Sequence, residues 1–288
     1  MTPTPEQEKI YNFIKFDSNH GIIDAVAGSG KTTTIIESIG FVEKSNSILF
    51  CAFNKSIRDE IQERISQKKN DNIVVKNLHQ LGFEILKSNS ELPYNVKTRK
   101  YNDLISRSIE SYNKEAFFRY LKLYDINPEP ENNFEKSQLN NYFNYFKNKL
   151  LDSVDKFRLT LEKNDFFKFK EMVIHFNIID PNKTSEKILD SVIDILFKGT
   201  ERLLEEGNKI ATSHNTIDLT DMLYLPKVFE VYPIKKYDLL FVDECQDLSK
   251  AQLAVALKYV KKSGRVIAVG DPCQSIYGFT GADIESFS

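Results

Sequence analysis

The sequence predicts an α/β protein with a parallel sheet, helices on both of its faces, and an inserted all-helical subdomain. Short apolar strands alternate with helices up to residue 86 and again from residue 210. Such alternation is typical of a parallel sheet, because each crossover lays a helix on one face. From residue 87 to residue 209 no convincing strand is found, and apolar residues recur at helical spacing. The expected parts are therefore 1–86, 87–209 and 210–288.

The first and third parts supply the strands of the predicted sheet. Thr4 is expected to cap the first helix, and Pro5 suits its first turn. The predicted strands of the first part are 21–26, 47–52 and 72–76, each followed by a helix, at 32–42, 55–65 and 78–86. The third part predicts a helix carrying 218–222, a strand at 237–242, a helix at 250–262 and a strand at 265–269.

The middle part is expected to be a helical subdomain with two apolar stripes. We expect their aromatic members to form core rather than a binding surface, and the many lysines to form a solvated face. The first stripe consists of Leu139, Tyr142, Phe143, Phe146, Leu150, Val154 and Phe157, and the second of Ile188, Val192, Ile195 and Leu196.

Composition excludes several classes of protein. Every apolar run falls short of the roughly 18 residues of a membrane span, and the N-terminus lacks a secretory signal, so no membrane partner is expected. Cys51, Cys245 and Cys273 stand singly, which indicates neither a disulfide framework nor a zinc site and fits a reducing, cytosolic or nuclear compartment.

The net charge of −2 argues against holding nucleic acid by bulk electrostatics alone. A groove lined by aromatic side chains could still hold a single strand.

A glycine-rich turn, Ala25-Val-Ala-Gly-Ser-Gly-Lys-Thr-Thr-Thr34, joins the first strand to the next helix. Gly28 and Gly30 can take the positive φ of a tight turn and let backbone approach an oxygen closely. Successive N–H groups and the helix N-terminus then point at phosphates, with Lys31 adding a charge and the Thr32 hydroxyl placed for Mg²⁺. A chance Lys-Thr pair would not require a strand before the turn and a helix after it. The turn predicts a nucleotide site.

Two acidic residues follow the apolar strand at 237–242. Asp243 and Glu244 are expected at the carboxyl edge of the sheet, where ligand sites of α/β proteins lie. One carboxylate there can hold Mg²⁺, and a second can orient and deprotonate an attacking water. Gln274 follows another strand end and carries an amide that could sense the γ-phosphate.

Taken in order and spacing, these motifs resemble those of superfamily 1 helicases of the UvrD/Rep type, whose motor domain is a RecA-like P-loop fold. Beyond the turn, the resemblance rests on Asp243–Asp247 and Gly270–Phe279, which are similar to the family's Walker B element and motif III. Shorter matches support it. They are Pro5–Gln7 (Q motif), Phe50–Lys55 (motif Ia), Asn77–Gln80 (motif Ib) and Ile217–Met222. The residues of motif Ia are more similar to those of the F-box DNA helicase branch than to those of the bacterial repair enzymes.

The resemblance implies a role for each matching residue. ATP and Mg²⁺ are the implied cofactors, and single-stranded DNA or a 3′-tailed duplex is the implied partner. Lys31, Glu244 and Gln274 are implied as catalytic residues, Glu244 being the general base, and Thr32 and Asp243 as the Mg²⁺ ligands. The implied nucleotide contacts are Gln7, which would select adenine, with Ala25, Val26, Ala27, Gly28, Ser29, Gly30, Lys31, Thr32 and Thr33. The implied DNA contacts are Phe53, Asn54, Asn77, His79, Tyr277 and Phe279.

Some positions depart from the family pattern. Motif Ia is one residue shorter than the common form, Asn77 replaces a threonine, and Thr33 stands where many relatives carry an arginine beside adenine. In motif III, Phe279-Thr280 replaces Trp-Arg. The sequence ends just after motif III, so we expect the second motor domain, with its arginine fingers, to be supplied in cis or in trans. Arg58 and Arg64 lie on the motif Ia helix and Arg265 starts a strand, so none of them is expected to reach the γ-phosphate.

Two other interpretations stay open beside a 3′→5′ DNA helicase motor. One is a P-loop ATPase of another class, such as superfamily 2 or AAA+, against which Gln246 and Gln274 speak. The other is a module that binds nucleotide and single strands without turnover, which the intact Lys31 and Glu244 disfavour.

Overall fold

The computed structural model describes residues 3–26, 28–53, 55–66, 72–110 and 114–271. They form two compact units. The α/β unit comprises the described residues of Met1–Glu91 and Met222–Ser288, and the helical unit comprises those of Leu92–Asp221. No helix in these stretches is both long enough and apolar enough to cross a membrane.

The first elements of the α/β unit alternate as the sequence predicts. In chain order they are α1 (Pro5–Phe16), β1 (Gly21–Asp24), α2 (Lys31–Ser38) with a 3₁₀ turn (Ile39–Phe41), β2 (Ile48–Ala52), α3 (Lys55–Ser66), β3 (Ile73–Asn77) and α4 (Leu78–Ser88).

The helical unit follows, and the chain then returns to the sheet. The helical unit contains β4 (Asn95–Val96), α5 (Lys100–Glu110), α6 (Lys114–Leu123), α7 (Asn133–Thr160), α8 (Phe166–His175), α9 (Glu186–Ser213), β5 (Thr216–Ile217) and the start of α10 (Leu219–Val228). The remaining elements are β6 (Tyr237–Val242), a 3₁₀ turn (Cys245–Asp247), α11 (Lys250–Leu257) and β7 (Val260–Gly270).

Local sequence explains where several helices begin. Thr4 caps α1, because its hydroxyl accepts the N–H of Gln7 while the Gln7 side chain accepts the N–H of Thr4. Asn77 before α4 and Ser249 before α11 form the same reciprocal box. Each box satisfies two backbone donors that a helix start leaves without partners.

Among the described residues, five strands form one parallel sheet in the order β1-β7-β6-β2-β3. This confirms the predicted α/β class. All five residues of β2 are buried, and the rings of Phe50 and Phe241 stack with centroids 5.9 Å apart across β2 and β6. Burial on both sides is what a parallel sheet covered by helices requires. Side chains from α2 and α3, including Ile35 and Ile61, complete the core.

Two element predictions are wrong. The helix expected over 250–262 ends at Leu257, and β7 begins at Val260, before the expected strand. Val260 pairs with Tyr237 of β6, and a register shift follows. Pairing to a central strand therefore overrides the local helical pattern, as tertiary contacts commonly do. The second exception is β4, a two-residue strand in a part where none was expected, which pairs with β5 far along the chain.

That pairing also sets the second unit boundary at 221/222 rather than at the expected 209/210. The N–H of Asn95 donates to the carbonyl of Asn215 (2.7 Å), and the N–H of Lys97 donates to that of Ile217 (2.8 Å). These bonds tie residues 215–217 to the beginning of the helical unit.

The predicted stripe on α7 is partly core. Phe146, Leu150, Val154 and Phe157 are buried, as expected. Tyr142, at the N-terminal end of the same stripe, instead lines an open cavity.

A neutral cluster of buried charges lies inside the helical unit. Arg158 of α7 is fully buried and donates to Asp218 (2.8 Å) and Asp221 (2.9 Å), while Lys100 donates to the other oxygen of Asp221 (2.6 Å). We call Lys100, Arg158, Asp218 and Asp221 the buried charge cluster. Its two cations offset its two anions, as burial of charge requires. Arg158 also donates to Asp155, whose side chain is 42% exposed, at the edge of the cluster.

Gly82→Ala should destabilise the α/β unit. A Cβ at Gly82 of α4 would lie 1.9 Å from the backbone oxygen of Met222, so one of the two segments must shift. Overpacking of this kind costs about 1–3 kcal/mol. Denaturant unfolding followed by circular dichroism measures the loss. Gly40→Ala is the matched control, because no atom lies within 4 Å of its added carbon. Equal stability of the two variants would contradict the prediction.

Arg158→Met should lower the free energy of unfolding by about 3–5 kcal/mol, because it leaves Asp218 and Asp221 buried with one cation between them. Arg119→Met removes an arginine from an ion pair with Asp194 at 3.7 Å that is largely exposed, and should cost about 1 kcal/mol or less. Thermal and denaturant unfolding of both variants check the difference. If Arg158→Met unfolds like the control, the cluster contributes little to stability.

Candidate nucleotide-binding site

The segments that follow the strands of the sheet meet at one edge. Because the strands are parallel, their carboxyl ends point the same way. The glycine-rich turn follows β1, Asp243 follows β6 and Phe53 follows β2. The structure thus collects at one edge motifs that lie far apart in the sequence.

The glycine-rich turn has the backbone that its sequence predicts. Gly28 and Gly30 have φ angles of +75° and +79°, in the left-handed region that favours glycine. Gly30 is the N-cap of α2, so the helix starts directly at Lys31. The first N–H groups of α2 therefore lie at the turn, where the helix dipole favours an anion.

A cavity of about 360 Å³ opens at this turn, within the range of small-molecule sites. Five of the residues that line it are implied nucleotide contacts. The lining residues are Gly28, Gly30, Lys31, Thr32, Thr33, Glu60, Arg64 and Glu244.

Lys31 and Glu244 meet in this cavity. The Lys31 ammonium lies 3.3 Å from Oε2 of Glu244, and the same oxygen accepts a hydrogen bond from the Gln246 amide (2.8 Å). The Lys31 side chain is 9% exposed and that of Glu244 is 27% exposed. A largely buried cation and a more accessible carboxylate therefore face each other across the turn.

Asp243 lies deeper than Glu244. Burial, with the charge of Glu244 as a second cause, raises the pKa of Asp243 to about 6, whereas the N–H of Glu244 and the Thr32 side chain act to lower it. The N–H of Glu244 donates to Oδ1 of Asp243 at 3.0 Å. The side-chain hydrogen bond between Asp243 and Thr32 brings together the two residues implied as Mg²⁺ ligands.

The oxygen atoms of Asp243 and Thr32 fit Mg²⁺ better than they fit a metal whose ligands all come from the protein. No group of three or more His, Cys, Asp or Glu side chains within the described residues could hold a metal. Mg²⁺ usually takes one or two protein oxygens and fills its other positions with water and phosphate. The Asp243 carboxylate and the Thr32 hydroxyl supply such oxygens.

Glu244 has an unusual backbone. Its φ of +50° lies in the left-handed region, which a residue with a side chain adopts at a cost. The segment around it is fixed, because the side-chain NH₂ of Gln246 donates to Glu244, and the side-chain Oε1 of Gln246 accepts the N–H of Asp271 at 3.1 Å. Burial raises the pKa of the neighbouring Asp247 to about 6, with the charge of Glu244 acting in the same direction.

Gln7 lies beside the start of α2. Its amide donates to the Thr34 hydroxyl (2.9 Å), which in turn donates to the carbonyl of Gly30 (3.0 Å). Gln7 is therefore connected to the glycine-rich turn through one side chain. Ala25 and Val26 begin the turn, and the carbonyl of Val26 accepts the N–H of Ser29 (3.2 Å).

Arg64, which was not expected to reach the γ-phosphate, lines the same cavity as Lys31 and Glu244. It lies near the end of α3 and donates to the Thr33 hydroxyl at 3.2 Å. It also pairs with Glu60 one turn earlier (2.8 Å). Thr33 replaces an arginine common among the relatives, and here an arginine from α3 contacts that threonine.

Three implied DNA contacts lie at or near strand ends. Phe53 follows β2 and is half-buried. Asn77 ends β3, and its side-chain oxygen accepts the N–H of Gln80 (2.9 Å), so the amide NH₂ is the group left for a phosphate. Burial lowers the pKa of His79, which favours a neutral ring over a cation. Ala27, Asn54, Gln274, Tyr277 and Phe279 lie outside the described residues.

Comparison with known proteins gives the same family along nearly the whole chain. The family model of the UvrD/REP helicase N-terminal domain matches residues 4–288. The chain is 28% identical to the ATP-dependent DNA helicase Rep of Buchnera aphidicola subsp. Baizongia pistaciae, over 95% of this chain and 37% of that protein. It is 31% identical to the ATP-dependent DNA helicase PcrA of Staphylococcus epidermidis, over 37% of this chain and 15% of that protein.

The chain thus spans little more than a third of the length of Rep, and its match to PcrA covers a smaller share of that protein. The expected resemblance to the UvrD/Rep type is confirmed. The chain belongs to the family of UvrD/REP helicase N-terminal domains.

Proposed function

We propose that this chain is the ATP-binding motor part of a DNA helicase, which couples ATP hydrolysis to 3′→5′ translocation on single-stranded DNA and to duplex unwinding. The observation that carries the proposal is the meeting of Lys31 and Glu244 in one cavity at the glycine-rich turn. A cation for phosphate and a carboxylate for water are the two charges that phosphoryl transfer to water needs.

In this proposal the turn holds the triphosphate and the strand end holds the cation. The N–H groups at the start of α2 and the Lys31 ammonium bind the phosphates. Thr32 and Asp243 hold Mg²⁺, which neutralises charge on the phosphate oxygens when it is bound. Gln7 selects adenine from beside α2, and Ala25 to Thr33 line the path of the nucleotide.

Glu244 acts as the general base. Its carboxylate is 3.3 Å from the Lys31 ammonium before nucleotide binds. When the phosphates replace the carboxylate as the partner of Lys31, Glu244 is able to orient a water. Gln246 keeps its bond to Glu244 and holds the carboxylate in place (2.8 Å). A base must lie within hydrogen-bond reach of the proton that it removes, and this contact limits where Glu244 can point.

The DNA strand follows the same edge of the sheet. Phe53 and His79 offer ring faces, and base–aromatic stacking is largely independent of sequence. Asn54, Asn77, Tyr277 and Phe279 complete the proposed path, and Gln274 connects the γ-phosphate to it. The net charge of −2 favours stacking over a general positive field.

Full turnover is proposed to need the second motor domain. In phosphoryl transfer an arginine finger contributes about 10³–10⁵ in rate. We expect residues 1–288 alone to bind ATP loosely, to hydrolyse it slowly and not to unwind DNA, and the C-terminal motor half, in cis or in trans, to restore DNA-stimulated turnover. The buried free thiols of Cys51 and Cys245 are compatible with a reducing compartment, cytoplasmic or nuclear.

Lys31→Ala should weaken Mg-ATP binding strongly, because it removes the cation facing the phosphates. A hydrogen bond to a charged group contributes about 1.5–3 kcal/mol, so the dissociation constant should rise by roughly ten- to a hundredfold. Glu244→Gln keeps the shape of the base and removes the carboxylate that competes for Lys31, so it should abolish hydrolysis without weakening Mg-ATP binding. Calorimetric titration with Mg-ATP and a phosphate-release assay measure the two quantities.

Unchanged Mg-ATP affinity in Lys31→Ala would disprove the nucleotide site. If hydrolysis by the wild type is the same with and without DNA after the second half is added, a P-loop ATPase of another class is favoured. Binding of nucleotide and DNA with no hydrolysis under any condition would instead favour a module without turnover.

Phe53→Ala should weaken binding of single-stranded DNA by roughly tenfold, the amount expected for one lost base stack. Phe16→Ala is the matched control, since that ring is 74% exposed at the end of α1, which precedes the amino end of β1. Fluorescence anisotropy with a labelled oligonucleotide at two salt concentrations measures affinity and salt slope. Equal affinities for the two variants would exclude Phe53 from the DNA path.

A further inference from the structure

A second cavity, of about 550 Å³, lies wholly within the helical unit. It is larger than the cavity at the glycine-rich turn and falls within the range of small-molecule sites. Residues of α6 and α7 line it together with the segment after α8. Its most distinctive feature is a set of four tyrosines, Tyr120, Tyr124, Tyr142 and Tyr145.

The tyrosines present ring surface from the depth of the cavity to its mouth. Tyr120 is only 2% exposed, and its ring centroid lies 5.0 Å from that of Tyr124 and 6.4 Å from that of Tyr142. Tyr145 is 44% exposed and lies near the mouth. Tyr142 and Tyr145 are three residues apart on α7, so they share one face of that helix. The wall of the cavity therefore offers aromatic ring surface, with the more exposed ring at the mouth.

The same cavity carries two cations and one anion. Lys149, one turn after Tyr145, places its ammonium 5.0 Å from the centroid of the Tyr145 ring. Lys183 is 85% exposed and lies 3.4 Å from Asp180. Asp180 is also bonded to the N–H of Asn182 (2.9 Å), so this carboxylate already has partners. One positive charge remains in excess beside the rings.

We propose that this cavity of the helical unit holds a base of single-stranded nucleic acid, with Lys149 and Lys183 facing the phosphates on either side of it. Ring faces for bases, combined with cations for the backbone, are how proteins hold single strands without reading their sequence. A base entering over Tyr145 takes the place of the Lys149 ammonium, which is then free to meet the adjoining phosphate. The inference extends the proposed function to a second surface and does not require ATP turnover.

Photo-cross-linking tests the proposal on the full chain. An oligonucleotide carrying 5-iodouracil is irradiated with the protein, and the modified peptides are mapped by mass spectrometry. We expect a cross-link within residues 139–149 of α7. Tyr145→Ala should lose it and bind the oligonucleotide roughly tenfold more weakly, whereas Tyr145→Phe, which keeps the ring, should behave as wild type.

Lys149→Gln separates a binding role from packing. It keeps a polar side chain of nearly the same length and removes the charge, so it should weaken oligonucleotide binding and flatten the salt dependence without changing thermal stability. Unchanged affinity and salt slope in Lys149→Gln, together with unchanged affinity in Tyr145→Ala, would overturn the proposal.

Two further outcomes would also overturn it. One is cross-linking confined to the α/β unit. The other is binding of dTMP as tight as that of the oligonucleotide, with the same dependence on Tyr145, which would make the cavity a site for free nucleotides. Mg-ATP affinity is measured in parallel on wild type and Lys31→Ala. A failure of nucleotide binding there, with the α7 cross-link retained, would count against the proposed function and not against this inference.

Discussion

The backbone hydrogen bonds of the parallel sheet fix the candidate site, because they continue past the ends of the strands. The N–H of Ala25 donates to the carbonyl of Gly270 (3.0 Å), and the N–H of Asp243 donates to that of Cys51 (3.2 Å). The first residue of the glycine-rich turn and the first acid after β6 are thus held by the ladder itself. A site mounted on rigid strands can keep its charged groups in place without much help from loops.

The two units achieve stability by different physical means. The α/β unit buries an apolar sheet on both faces, and its interior is a continuous cluster of branched and aromatic side chains. The helical unit adds the buried charge cluster, in which each cation must find its anion at a defined geometry. Because these bonds form only at short distance, we expect the cluster to fix how the start of α5, the end of α7 and the start of α10 meet.

Sequence patterns predicted the sheet and most of the residues that line the cavity at the glycine-rich turn because the information is local. A turn with glycine at two positions, a lysine and a helix start can be recognised within ten residues, as can an acid after an apolar strand. What could not be predicted depends on distant partners. Val260 becomes strand because Tyr237 lies beside it, and Asn95 pairs with a segment far along the chain. Likewise, periodicity placed Tyr142 on an apolar stripe but could not show that the stripe opens into a cavity.

The contact between Lys31 and Glu244 has a consequence for ligand choice. Before any phosphate arrives, the lysine already has a counter-ion, so an incoming ligand must compete with an internal carboxylate. An anion with a single charge gains little from that exchange, whereas a polyphosphate brings several charges and also meets the N–H groups of the turn. In the proposed mechanism, the displaced carboxylate is the base. Glu244 therefore becomes available to act on water only when a ligand of sufficient charge has displaced it from Lys31. The internal ion pair would then act as a threshold that discriminates against weakly charged anions.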